Sequence, residues 1–239
     1  MIYSRYQVAA ELASGRRVLE IGCGSGHGLG LIARRARSVV GGDLSPTLLA
    51  AGRRHYGAAM PLVRLSAERL PFADGTFDLV LFFEATYYVP DMGAAFSEVA
   101  HVLAPGGTVL FVNANPERPD FIRSPHSVHY HTADEFRREL EARGLAVTIE
   151  GAFPVDPPAT GVAARAKAAA FKLARRVIEI LHLVPRTLRG RARLKRLGFG
   201  KLVPLPPELP EGYAPMAERR VLMPGMAAGI KVVYIYARK

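Results

Sequence analysis

Five residues, Gly22-Cys23-Gly24-Ser25-Gly26, constrain this chain more than any other feature. Three glycines at alternate positions follow directly on an apolar run, Arg17-Val18-Leu19-Glu20-Ile21, and precede a helix-length stretch through Ala36. The order is strand, glycine turn, helix. A turn without Cβ atoms lets backbone come close to a ligand beyond the strand. Ser38-Val39-Val40-Gly41-Gly42-Asp43 predicts a second buried strand, and Ser45-Pro46 supplies an N-cap and a first-turn proline for the helix after it. Residues 77–83 and 108–112 predict two more strands around a helix over 94–103. Strands alternating with helices mean an α/β fold, a doubly wound, mainly parallel sheet covered on both faces. Ligands of such sheets sit beyond the carboxyl ends of the strands, where Gly22, Asp43, Glu84 and Asn113 fall.

The glycine spacing tests one ligand class at once. A dinucleotide fingerprint requires Gly-x-Gly-x-x-Gly at the turn, and counting from Gly22 or Gly24 puts His27 or Leu29 in the third glycine slot. Gly28-Leu29-Gly30-Leu31-Ile32-Ala33 meets the relaxed spacing but lies a full turn too deep in the helix, which argues against a nicotinamide cofactor. Asp43 is placed either to accept hydrogen bonds from ribose hydroxyls or to cap the next helix.

Together these residues resemble a family. Glu20-Ile21-Gly22-Cys23-Gly24-Ser25-Gly26 is similar to the first motif of class I S-adenosylmethionine-dependent methyltransferases, and Gly42-Asp43-Leu44-Ser45 to their second-strand motif. Ser66-Ala67-Glu68-Arg69-Leu70-Pro71-Phe72 with Phe77-Asp78-Leu79-Val80 resembles the segment that holds the adenine, and Leu103-Ala104-Pro105-Gly106-Gly107-Thr108 the turn before the fifth strand. The resemblance implies S-adenosyl-L-methionine as cofactor. It implies that Gly22, Cys23, Gly24 and Gly26 approach its methionine part, with Glu20 fixing the loop or the amino group. Asp43 would hold the ribose, Leu44 would pack on the adenine, and Ser66, Ala67 and Glu68 would meet the adenine edge. Glu84, Tyr87 and Tyr88 would form the rim toward the acceptor, with Asn113 beyond the neighbouring strand.

Methyl transfer from a sulfonium is an in-line displacement, so positioning dominates. A hydroxyl acceptor also benefits from a general base, usually histidine. Ser124-Pro125-His126-Ser127-Val128-His129-Tyr130-His131 supplies the candidates, His126 and His129. Without a carboxylate or cysteine at ligand spacing these histidines predict no metal site. Thr132 and Glu135 have the spacing of a capping box for the helix toward Leu140. Nucleobase amino-group enzymes typically carry Asn/Asp-Pro-Pro-aromatic after the fourth strand, and this chain has Glu84-Ala85-Thr86-Tyr87 there. Cys23, the sole cysteine, lies in the wrong loop for carbon-5 chemistry and excludes an intrachain disulfide.

The charge is concentrated in one place. Residues 161–201 hold twelve Lys or Arg against one acid, Glu179, and so account for the whole net charge of +11. Within them, residues 171–184 place Phe171, Val177, Ile178 and Leu181 on one half of a helical wheel and Lys172, Arg175, Arg176 and Glu179 on the other. A proline-rich run follows at 203–210, and residues 146–150 and 231–236 predict the last two strands, which the resemblance implies form an antiparallel pair. The expected organisation is a cofactor-binding domain over 1–155 plus 229–239, interrupted at 156–228 by a basic insertion. That insertion would serve as acceptor lid, homodimer contact or anchor on an anionic membrane; nucleic acid is disfavoured because only Phe171 and Phe199 interleave the charges. The expected protein is cytoplasmic, peripheral at the inner membrane surface if the anchor reading holds. The acceptor would be a small molecule or a lipid-linked glycan of polysaccharide biosynthesis, methylated on oxygen. An RNA methyltransferase and a non-catalytic cofactor-binding protein are the alternatives.

Overall fold

The apolar runs assemble into one eight-stranded sheet among the residues that the computed structural model describes: 1–119, 121–124, 126–155, 205–212 and 214–239. The strands are β1 (Arg17–Ile21), β2 (Ser38–Asp43), β3 (Leu62–Arg64), β4 (Phe77–Phe83), β5 (Leu103–Ala114), β6 (Ala146–Pro154), β7 (Arg219–Val221) and β8 (Ile230–Arg238). Their spatial order is β3-β2-β1-β4-β5-β8-β6-β7. Pairing is parallel from β3 across to β5, while β8 runs antiparallel to both β5 and β6. The order reverses at β1 and β4, which places a crevice between the loops leaving these two strands.

Helices α1 (Ile2–Leu12), α2 (Leu29–Ala33), α3 (Pro46–Tyr56), α4 (Met92–Val102) and α5 (Ala133–Glu141) accompany the sheet. One apolar layer centres on Phe82, Phe96, Phe111 and Phe136, the other on Tyr6, Leu29, Leu49 and Tyr234. Local signals set the helix starts as the sequence predicts. Ser45 Oγ accepts from Leu48 N with Pro46 opening α3, and Thr132 and Glu135 form a complete capping box on α5.

Four expectations change. α2 starts only at Leu29, where Gly28 and Gly30 weaken its first turn, and it stops at Ala33, short of the predicted end at Ala36. A Cβ at Gly28 would run into the Tyr6 ring, so its glycine admits α1. α1 itself was not expected. The three-residue strands β3 and β7 carry too little pattern to be read. The fourth change is a boundary: residues 205–228 belong to the sheet-bearing body, not to the insertion. β7 pairs with β6, and Leu209, Leu222 and Ala227 are buried in it. The predicted basic amphipathic helix at 171–184 and the basic stretch after it lie outside the described residues. Among the described residues no helix is long and apolar enough to cross a membrane.

Candidate active site

The crevice is built from the exits of β1, β2 and β4. Gly22 N and Cys23 N both donate to Gly42 O, at 2.8 and 3.0 Å, which pins the glycine turn to β2. Gly22 has φ +72° and a Cβ there would lie 2.6 Å from that of Ala85, so only glycine lets β1 leave beside the β4 loop. Asp43 then organises the turn: Oδ2 accepts from Gly24 N and Oδ1 from Ser45 N, each at 2.8 Å. Ser45 is the residue that caps α3, so the alternative of Asp43 as its N-cap falls. Each Asp43 oxygen retains acceptor capacity toward a ligand. Leu44 beside it is 63% exposed, an unusual position for a leucine within a folded site.

Ser66, Ala67 and Glu68 follow β3, with Leu65 N donating to Asp43 O. Ala67 is buried. The Glu68 carboxylate accepts from Ser66 Oγ at 3.2 Å and from Asp91 N at 2.8 Å, which ties this segment to the start of α4. Each of its oxygens, like those of Asp43, retains acceptor capacity toward a ligand.

Glu20 and Glu84, at the ends of adjacent strands, are both held by α1. Tyr6 Oη donates to Glu20 Oε1 at 2.7 Å, while Glu20 Oε2 is buried with no partner. Burial pushes the Glu20 carboxyl up to about 7; the Tyr6 bond opposes this and the nearby Asp43 charge adds to it. Glu84 adopts φ +50°, a left-handed backbone that costs a non-glycine residue roughly 1–3 kcal/mol. Its carboxylate accepts from Arg5 at 3.0 Å and from Tyr87 Oη at 3.1 Å, which fixes it. Arg5 and Tyr6 are the site residues that sequence reasoning missed. α1 buries Tyr3, Ser4, Arg5 and Tyr6 in succession, so no amphipathic period marks it. The one available signal was an Arg-Tyr pair just upstream of the first strand.

On the acceptor side the expected rim divides. Tyr87 is buried and stacks on Tyr130, with centroids 4.2 Å apart, so it is a packing residue and not the exposed rim predicted. Tyr88 is exposed, its hydroxyl 3.0 Å from Ser124 Oγ. Asn113 is also buried: Oδ1 accepts from Thr86 Oγ1 at 3.0 Å and Nδ2 has no partner. Cys23 is buried too, and burial pushes its thiol far up, which makes it inert. His126 is exposed. His129 packs edge-on against His131 at 4.4 Å, lies 3.7 Å from a Glu135 oxygen, and lines a cavity of about 460 Å³ with Asp91, Met92, Phe96 and His131. Burial and the neighbouring His129 lower the pKa of His131. Among the described residues no contact joins His126 or His129 to the glycine turn, Asp43 or Glu84.

The chain is similar to known proteins in sequence and in fold. Residues 19–111 match the model of a methyltransferase domain. The chain is 42% identical over 105 residues to a fatty-acid O-methyltransferase of Mycolicibacterium smegmatis, covering 43% of this chain and 38% of that protein. It is 39% identical over 118 residues to phthiotriol/phenolphthiotriol dimycocerosates methyltransferase 1 of Mycobacterium ulcerans, covering 48% and 43%. A probable S-adenosylmethionine-dependent methyltransferase of M. smegmatis matches at 36% over 152 residues, covering 62% and 55%. These matches span about half the length of the relatives or less. Among solved structures, the YcgJ protein of Bacillus subtilis superposes with TM-score 0.63 at 19% identity, covering 100% of this chain and 99% of that one. An S-adenosylmethionine-dependent methyltransferase from Mesorhizobium loti gives 0.59 at 18%, covering 98% and 96%.

Proposed function

We propose that the chain is a class I S-adenosylmethionine-dependent methyltransferase and that it methylates an oxygen, a hydroxyl or carboxylate, of a lipid acceptor. The carrying observation is the apolar rim beyond β4. Tyr88, Ile122 and Val128 all expose their side chains there. A hydrogen bond between the Tyr88 and Ser124 hydroxyls and one from Val128 N to Tyr87 O hold that rim in place. A rim of this kind suits an alkyl chain better than a sugar or a phosphate backbone. The names of the relatives, a fatty-acid O-methyltransferase and phthiotriol-type methyltransferases, support the same reading. A lipid-linked glycan would meet this rim through its lipid part.

The crevice fits the cofactor. Its methionine ammonium would find the orphaned Glu20 Oε2, its ribose hydroxyls the spare acceptor capacity of Asp43, and its adenine the exposed face of Leu44 beside Ala67. When bound, the sulfonium supplies an electrophilic methyl group. The chain's own residues then have positional work to do. The glycine turn and Asp43 hold one side of the crevice, and the Arg5–Glu84–Tyr87 cluster makes the end of β4 a fixed wall. A carboxylate acceptor needs no proton removed; for a hydroxyl acceptor we assign the base to His126 or His129, of which His129 lines a cavity.

The test incubates the purified full chain with methyl-labelled S-adenosylmethionine and a long-chain fatty acid, a long-chain diol, a free oligosaccharide or RNA. Label extracted with the fatty acid or diol is the expected result. Transfer only to oligosaccharide or RNA would overturn the lipid reading.

A further inference from the structure

We propose that Arg5 receives the carboxylate of the cofactor's methionine end, so that Arg5 and Glu20 together clamp an α-amino acid group by both of its charges. The inference rests on the cofactor reading above and is independent of the acceptor.

Three successive residues of α1 reach three strands. Ser4 Oγ lies 3.2 Å from Tyr234 Oη on β8, Arg5 Nη2 donates to Glu84 Oε1 at 3.0 Å, and Tyr6 Oη donates to Glu20 Oε1 at 2.7 Å on β1. β1 and β4 are parallel neighbours, with Glu20 paired to Leu81 and Glu84 directly following the last residue of β4. Arg5 and Tyr6 therefore bring their polar groups to the two strand exits that form the crevice.

Two polar atoms of opposite kind are left there without partners: Glu20 Oε2, an acceptor, and Arg5 Nε, a donor. Both residues are deeply buried, Glu20 at 1% and Arg5 at 7% exposure. Leaving either atom unsatisfied is costly, which marks the pair as waiting for a ligand. The existing ion pair does not use up Arg5. Its contact with Glu84 is made by Nη2, and Tyr87 Oη holds the other Glu84 oxygen at 3.1 Å, so that carboxylate is fixed in place. A guanidinium carries five N–H donors and takes a carboxylate side-on through two parallel bonds, for which Nε is one of the donors.

The two orphans match one chemical group. An α-amino acid carries an ammonium donor and a carboxylate acceptor on the same carbon, and Glu20 Oε2 and Arg5 Nε answer one each. A fatty-acid carboxylate would answer Arg5 and leave Glu20 unpaired. Charge agrees with the match. Glu20, Asp43 and Glu84 border the crevice with carboxylates, so a ligand carboxylate entering among them needs a cation, and the Arg5 charge reaches as far as Glu20, whose pKa it lowers.

Isothermal titration of the full chain at pH 8, where Glu20 is mostly ionised, tests this with two probes: S-adenosylhomocysteine and its decarboxylated analogue, which keeps the ammonium. Three variants accompany the wild type: Arg5→Lys, Arg5→Gln, and Arg5→Gln with Glu84→Gln, the last removing the charge that the single change strands. Wild type should prefer S-adenosylhomocysteine roughly 10- to 100-fold, the range expected of charge-assisted hydrogen bonds to one carboxylate. Both glutamine variants should lose that preference while still binding the analogue, and Arg5→Lys, which keeps the charge without the fork, should retain part of it. Equal affinity of wild type for the two probes overturns the proposal, as does a preference that survives in both glutamine variants. Equal weakening toward both probes would also overturn it, reducing Arg5 to a brace for Glu84. So would a long-chain fatty acid whose binding Arg5→Gln abolishes while the preference for S-adenosylhomocysteine remains, which would assign Arg5 to the acceptor. Wild type that binds neither probe would instead overturn the cofactor reading, and this inference with it.

Discussion

Glu20 should make cofactor binding proton-linked near neutral pH. In the free protein its carboxyl is pushed up to about 7 by burial, and its Oε2 has no partner. A cofactor ammonium beside that oxygen favours the ionised form, so binding must expel the proton wherever Glu20 still holds one. At pH 6 a group with pKa about 7 is roughly 90% protonated and at pH 8 roughly 10%, so affinity for S-adenosylhomocysteine should tighten about tenfold over that interval. The same shift acts on stability. A carboxyl whose folded pKa exceeds its unfolded value near 4.5 stabilises the fold fully below 4.5, and that contribution fades as pH rises through about 7. The full loss is on the order of 3 kcal/mol, so without cofactor the midpoint of thermal unfolding should fall between pH 5 and 7.5, and saturating S-adenosylhomocysteine should offset the fall. Isothermal titration at pH 6 and pH 8, in buffers of different ionisation enthalpy, measures the affinity and the protons released together. Tyr6→Phe, which removes the bond that opposes the shift, should move the transition to higher pH, and Glu20→Gln should abolish it. Affinity flat with pH in the wild type, with no proton release at pH 6, would refute this reasoning.

Three substitutions probe the rest of the crevice. Asp43→Ala should weaken S-adenosylhomocysteine binding by roughly 1–3 kcal/mol in calorimetry and also lower the unfolding midpoint, because Gly24 N and Ser45 N lose their acceptor. Gly22→Ala forces a Cβ into Ala85 at positive φ, so cofactor affinity should drop at least tenfold; an unchanged affinity would show that the turn can shift without cost. Arg5→Ala leaves the Glu84 carboxylate without its cation next to a strained backbone, and denaturant unfolding should show a loss of about 3–5 kcal/mol if the pair behaves as buried.

How much of this was legible in the sequence follows from range. The glycine turn, the Ser45-Pro46 helix start and the Thr132–Glu135 capping box are encoded within a few residues, and each forms as read. The last two strands were legible too, since both carry long apolar runs, while their antiparallel pairing came from the family resemblance. What escaped the reading depends on distant partners. Tyr6 meets Glu20 across 14 positions and Arg5 meets Glu84 across 79, distances at which spacing carries no register. Tyr87 read as rim because sequence cannot show that Tyr130 stacks on it. The 205–228 boundary was misplaced for a similar reason: a proline-rich run looks like a linker until Leu209 N is seen donating to His27 O.

The most direct test of the account is to map S-adenosylhomocysteine onto the protein by amide chemical-shift perturbation. Saturable binding is expected, with shifts concentrated at residues 20–26, 43–45 and 65–68, and with the amides of the cavity around His129 and His131 unmoved. Shifts centred on His129 and His131, or no binding, would contradict it.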